Sequence, residues 1–206
     1  MNAADRERWT KLWNAARLAG DASAWHERLM TLYSESHRHY HTLQHLSECL
    51  REFDSAKNQV HDPVALELAI WFHDAIYNPR ASDNEERSAA LAQECLAGAR
   101  ATSDLVSTVS KLVLDTKTHM GSGHPDAALL IDIDLSILGQ SEDRFNEYER
   151  QIREEYSWVP GIIFKPKRAA ILRGFLDRPR LYSTDPFFSN YEQPARANIK
   201  RSLRIK

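Results

Sequence analysis

Leu66-Glu67-Leu68-Ala69-Ile70-Trp71-Phe72-His73-Asp74-Ala75-Ile76 is the stretch that decides the fold. After Glu67 it is apolar on nearly every side of a helical wheel, the mark of a central, buried helix rather than one with a wet face. Asp62-Pro63 ahead of it offers a capping carboxylate and a first-turn proline, and Asn78-Pro79 breaks it, so a helix is predicted from Val64 to about Tyr77. The sequence on either side reads the same way. Trp9, Trp13 and Ala16 share one helical face, as do Trp25, Leu29, Leu32 and Tyr33. Leu43, Leu46, Leu50 and Phe53 recur at steps of three and four, which predicts a helix from Tyr40 to Phe53. Helices are expected at about 84–98, from Ser103 or Asp104, through the apolar run Ala127–Leu138, at 141–156, at 166–182 and from about 191. Only Val159–Phe164 leans toward a strand, beside Pro160 and Pro166, and no 20–50-residue repeat or linker-like stretch is visible. The expectation is one all-α domain spanning 1–206.

Composition excludes several classes. Over 206 residues, 27 basic against 29 acidic side chains give a net charge of −2, too balanced for general affinity to nucleic acid or membranes. No apolar run approaches the ~20 residues a spanning helix needs, and the N-terminal stretch lacks a signal-peptide core. Cys49 and Cys95 form neither a disulfide framework nor a CxxC motif. A cytoplasmic protein is expected. The nine histidines are the unusual feature.

Three places set charge inside apolar sequence. His73 and Asp74 fall at the end of the decisive helix, where a buried carboxylate needs a cation, strong donors or a metal. Asp132 and Asp134 interrupt Ala128–Leu138; two residues apart on a helix, they cannot aim at one centre, so one is a candidate ligand and the other a cap or an exposed group. His41 and His45 stack one turn apart, roughly 140° from the Leu43/Leu46/Leu50/Phe53 stripe, which places them on a cleft wall or in solvent. Each alone reads more readily as a cap, a core ion pair or a polar face than as a ligand. Together, two imidazoles and two carboxylates from three helices suffice to hold a divalent transition ion with positions left for water.

That order, a histidine, a His-Asp doublet and a distant aspartate, resembles the HD superfamily of metal-dependent phosphohydrolases. His45 matches its first ligand, His73 and Asp74 its doublet, and Asp134 its final aspartate. Tyr40-His41 followed by His45, and Asp134-Leu135-Ser136, resemble the metal-site segments of cyclic-nucleotide phosphodiesterases. With Asn84-Glu85-Glu86-Arg87-Ser88-Ala89, the chain is similar to a family of small bacterial HD phosphohydrolases. The resemblance implies an HD-like helical bundle with its metal-site core at about 40–136 and the C-terminal helices 141–206 packing on it. It also implies hydrolysis of a small phosphorylated metabolite, nucleotide-like in class, with Asp74 catalytic as well as ligating and His41 as general acid. Thr42 for an asparagine, and Tyr77 for a histidine three after Asp74, point away from a second metal of the phosphodiesterase kind and from cyclic nucleotides.

Lys117 is a candidate phosphate contact and His119 a candidate second-metal or substrate contact, or both are helix C-terminal cations, and Arg153 is a candidate phosphate clamp or an ion pair with Glu149. His/Asp ligation suits Mn, Fe, Co, Ni, Zn or, with more water, Mg. His26, His37, His39 and His61 read as polar surface, and Cys49 as a small core side chain. The rival readings are a metal-bound nucleotide sensor without turnover and a helical nucleic-acid module using Arg196, Lys200, Arg201, Arg204 and Lys206.

Overall fold

The computed structural model describes residues 3–118 and 123–205. Among them every regular element is a helix, so the all-α expectation holds. The chain divides into two compact units, Met1–Ile131 and Asp132–Lys206.

The first unit contains α1 (Ala3–Ala15), α2 (Ala22–Tyr33), α3 (Leu43–Ala56), α4 (Pro63–Phe72), α5 (Asn84–Gly98), α6 (Ser103–Asp115) and the start of α7 (Ala127–Asp134). Helix α4 is its axis: every residue from Ala65 to Phe72 is buried, and α1, α3, α5 and α6 all pack on it. Its one internal charge, Glu67, is met by Arg8 of α1 at 2.7 Å, and the same guanidinium spans to Asp54 on α3. Asp62 caps the helix by accepting from the Ala65 amide at 3.0 Å, with Pro63 in the first turn. Buried Asp126, just before α7, accepts from the His61 and Asp62 amides and so fixes where α4 begins.

Two boundaries differ from expectation in ways that matter for the site. Helix α4 stops at Phe72, five residues before Tyr77; His73 keeps helical backbone angles as its C-cap, and the Asp74 and Ala75 carbonyls beyond it accept from the Arg38 guanidinium. Helix α3 starts at Leu43, because Thr42 adopts an extended backbone and its hydroxyl accepts from the Gln44 amide. His41 therefore lies in the turn ahead of α3 rather than one helical turn below His45.

The second unit holds the end of α7, a 3₁₀ turn at Leu135–Gly139, α8 (Glu142–Glu155), α9 (Gly161–Leu176) and α10 (Asp185–Leu203). The 3₁₀ turn lies tight against α10: a side chain at Gly139 would meet the Tyr191 Cβ at 2.7 Å, so only glycine fits. The β-leaning segment instead opens α9, five residues before the expected start. Pro166 lies inside that helix on an exposed face, where its missing amide proton is cheapest.

Candidate metal centre

The burial of α3 runs along His45, Leu46, Cys49, Leu50, Phe53 and Ala56, so His45 lies in the core stripe and not opposite it. The imidazole is only 1% exposed and points at the end of α4. There the His73 Nδ1 donates to the Ile70 carbonyl at 2.7 Å, which fixes the ring and turns Nε2 inward. The two Nε2 atoms stand 3.1 Å apart. Asp74 Oδ2 lies 3.4 Å from His45 Nε2 and 3.3 Å from His73 Nε2. The three donor atoms thus form a nearly equilateral triangle, with edges close to those of three ligands on one small cation at metal–donor distances of about 2.0–2.2 Å. Donor type and spacing both fit a divalent transition ion.

Electrostatics support the same reading. Burial alone would push His73 down, but the Asp74 carboxylate, with Tyr33 and Cys49 contributing, outweighs it and holds the imidazole well above its ordinary value. Burial would likewise raise Asp74; the positive charge of His73 and His41, and hydrogen bonds from His45 and His73, win and hold it well below the carboxylate range. The site attracts positive charge and stabilises a carboxylate against burial, as a cation site must.

Two side chains of the centre escaped the sequence reading. Cys49 is a core residue as expected, yet its Sγ turns toward the site, 3.7 Å from both ring nitrogens of His45. Ligand atoms of His45, Cys49 and His73 lie within 4.8 Å of one another. Burial pushes the Cys49 thiol up, but the two imidazoles outweigh this and hold it below its usual value. The only signal in the sequence is its i+4 spacing from His45. The second is Arg38, whose side chain is fully enclosed. Its Nη1 donates to the carbonyls of Asp74 at 2.6 Å and His41 at 3.1 Å, its Nη2 to that of Ala75 at 2.8 Å, and its Nε to Glu35 at 3.0 Å. One guanidinium therefore closes the end of α4 and ties it to the turn that carries His41.

The other expected site residues fall as follows. His41 is half-buried, stacked on Tyr77 with ring centroids 4.0 Å apart and edge-on to His45 at 6.0 Å. Lys117 ion-pairs with Glu86 and donates to the Ser82 carbonyl. His119 lies outside the described residues. Arg153 donates to the carbonyls of Tyr156 and Val159 and lies over the Phe164 ring, closing the turn between α8 and α9, while Glu149 pairs with Arg168. Asp134 is the half-buried last residue of α7, in the second unit. Asp132 is fully buried and accepts from the Ser183 and Thr184 amides and the Thr184 hydroxyl, so it anchors the start of α10. Asn84 and Ser88 pin the loop after α4 through Asn78 and Ile76. The surface assignment of His26 is overturned: it is completely buried, because its ring packs edge-on against Trp71 of the buried helix α4. In the C-terminal basic stretch, Arg196 is occupied by Glu192 and three loop carbonyls and Arg201 by Glu142 and Asn198; Lys206 lies outside the described residues. No described helix is long and apolar enough to cross a membrane.

No family model, no curated protein and no solved structure matches the chain.

Proposed function

We propose that the chain is a metal-dependent phosphohydrolase of HD type, with His45, His73 and Asp74 as ligands and a small, nucleotide-like phosphate ester as substrate. The observation that carries this reading is the His45–His73–Asp74 triangle of donor atoms, 3.1 to 3.4 Å on a side, at the buried end of α4. When bound, a divalent ion supplies a Lewis acid for a phosphoryl oxygen and lowers the pKa of coordinated water toward ~7. The chain's own residues supply the rest. Asp74 stays ionised, so its carboxylate is available both as a ligand and as acceptor of the proton that attacking water gives up. His41, held by its stack on Tyr77 at the rim of the centre, donates a proton to the leaving oxygen. Arg38 holds the Asp74 and His41 segments in one register through their carbonyls.

The test is elemental analysis of protein purified without added metal, followed by a phosphatase screen of the same preparation beside His73→Ala. Near-stoichiometric transition metal and turnover of some phosphate esters, both lost in the variant, are expected. Protein without metal and with no rate above the variant would overturn the proposal. A loaded but inert protein that binds nucleotides would instead identify the sensor reading.

A further inference from the structure

We propose that Cys49 is a thiolate ligand of this centre and makes it selective for a borderline-soft ion, Zn²⁺ or Co²⁺, over Mg²⁺ and Mn²⁺. The inference rests on the reading that a metal sits among His45, His73 and Asp74, and it adds a donor of a different chemical kind.

Three observations lead to it. Cys49 lies four residues after His45 on the buried face of α3, the offset that stacks two side chains over one point. Leu46, Leu50 and Phe53 of that stripe serve the apolar core, whereas the Cys49 Sγ is 3.7 Å from both nitrogens of the His45 ring and within 4.8 Å of the His73 donor. A zinc ion bound tetrahedrally at ~2.3 Å to sulfur and ~2.0–2.1 Å to nitrogen separates those two donors by about 3.6 Å, so only a small adjustment is needed. The third is charge balance. A buried dication beside two neutral imidazoles and one carboxylate keeps a net positive charge, which burial penalises; a thiolate cancels it. On binding, the thiol proton leaves to solvent and the sulfur lone pair forms the metal bond, with no change of oxidation state.

Oxygen-rich, weakly dehydrated Mg²⁺ gains little from such a donor set, while zinc and cobalt gain a strong bond. The other cysteine, Cys95, is buried on α5 and serves as an internal control.

The experiment is a Co²⁺ titration of the metal-free full chain, read by absorbance, for wild type, Cys49→Ser and Cys95→Ser, with far-ultraviolet circular dichroism to confirm folding. Wild type and Cys95→Ser should show a near-ultraviolet thiolate-to-cobalt charge-transfer band together with the visible ligand-field bands. Cys49→Ser should lose the former, keep weakened ligand-field bands, and bind Zn²⁺ more weakly by at least the ~10–100-fold that loss of a supporting contact costs. Millimolar Mg²⁺ should not compete. Ligand-field bands without charge transfer in wild type and Cys95→Ser would overturn the role of Cys49 and leave the metal centre standing. No cobalt or zinc binding by wild type would overturn both. Because Cys95→Ser retains Cys49 as its only thiol, the result stands even if Cys49→Ser fails to fold.

Discussion

Replacing Arg38 by methionine keeps most of the stem's volume and removes every donor from an enclosed guanidinium that satisfies three backbone carbonyls, those of His41, Asp74 and Ala75. A hydrogen bond from a charged donor contributes roughly 1.5–3 kcal/mol, and a buried acceptor left without a partner costs about as much. Taking the low end for each carbonyl gives a destabilisation of about 4 kcal/mol, near the top of the range for single substitutions. At about 2–4 °C per kcal/mol for a chain of this size, the midpoint of thermal unfolding should fall by about 8–16 °C. Arg38→Lys should recover only part of this, because a compact ammonium cannot match the planar fork that spans Asp74 and Ala75. The second readout is Zn²⁺ affinity by titration calorimetry under conditions where the variant is folded. Since Arg38 touches only the backbone of the doublet, its loss should loosen His73 and Asp74 and weaken zinc by about 10–100-fold, the usual effect of removing a contact that orients ligands. A stability change below about 1 kcal/mol with unchanged zinc affinity would show that the carbonyls find water or other partners and that Arg38 does not position the centre.

His41→Ala should lower turnover by about 10²–10⁴ while metal content by elemental analysis stays at the wild-type level; loss of metal instead would make His41 a ligand rather than the proton donor. Asp132→Ala strips three hydrogen bonds from the start of α10 and should cost about 2–4 kcal/mol in urea unfolding with zinc affinity unchanged. His26 is buried, with neither ring nitrogen hydrogen-bonded, and burial, then the charge of Arg6, holds it below its ordinary value of 6.5. The native state therefore binds fewer protons than the unfolded chain below that pH, so its effect on stability is absent at alkaline pH and becomes a growing loss as pH falls through 6.5. His26→Leu should flatten that acid arm in urea midpoints measured from about pH 8 to about pH 5; an unchanged arm would place the acid sensitivity elsewhere.

The fold was legible because its signal is one-dimensional. An all-round apolar helix between a cap and a proline needs no knowledge of its neighbours, and α4 begins at Pro63 as that pattern requires. Its end was not legible: Ala75, Ile76 and Tyr77 continue the apolar run, yet the helix ends at Phe72, and the carbonyls just beyond are held by Arg38, distant in sequence and set among Ser36, His37 and His39 with no apolar pattern of its own. The pairing of His45 with His73 was suggested by setting the charged residues of three apolar helices together and by the resemblance to the HD pattern, whereas a helical wheel begun at Tyr40 placed His45 on the wrong side. Thr42 restarts the helix, and the stripe broadens to take in His45 and Cys49. Asp132 and Asp134 are indistinguishable by spacing alone; only the amides of Ser183 and Thr184, some fifty residues on, identify Asp132 as an anchor. His26 failed for a related reason, since its burial depends on Trp71, distant in sequence on another helix.

The position of the His-Asp doublet at the end of α4 follows from the same physics that buries the helix. A helix C-terminus carries unsatisfied carbonyls and roughly half a negative charge, and with every residue from Ala65 to Phe72 buried, water has little access to neutralise it. Carbonyls of the last turn find side chains instead, Ile70 the His73 Nδ1 and Trp71 the Tyr33 hydroxyl, while just beyond the helix the Arg38 guanidinium takes the Asp74 and Ala75 carbonyls and the Asp74 carboxylate raises the proton affinity of His73. Both gather positive charge at this end of α4. A divalent ion at the Nε2–Nε2–Oδ2 triangle would satisfy the same field more fully than a single proton, and would take that proton's place on His73. In the middle of α4 the doublet would meet neither free carbonyls nor a second cation, and Asp74 would be a buried charge without compensation.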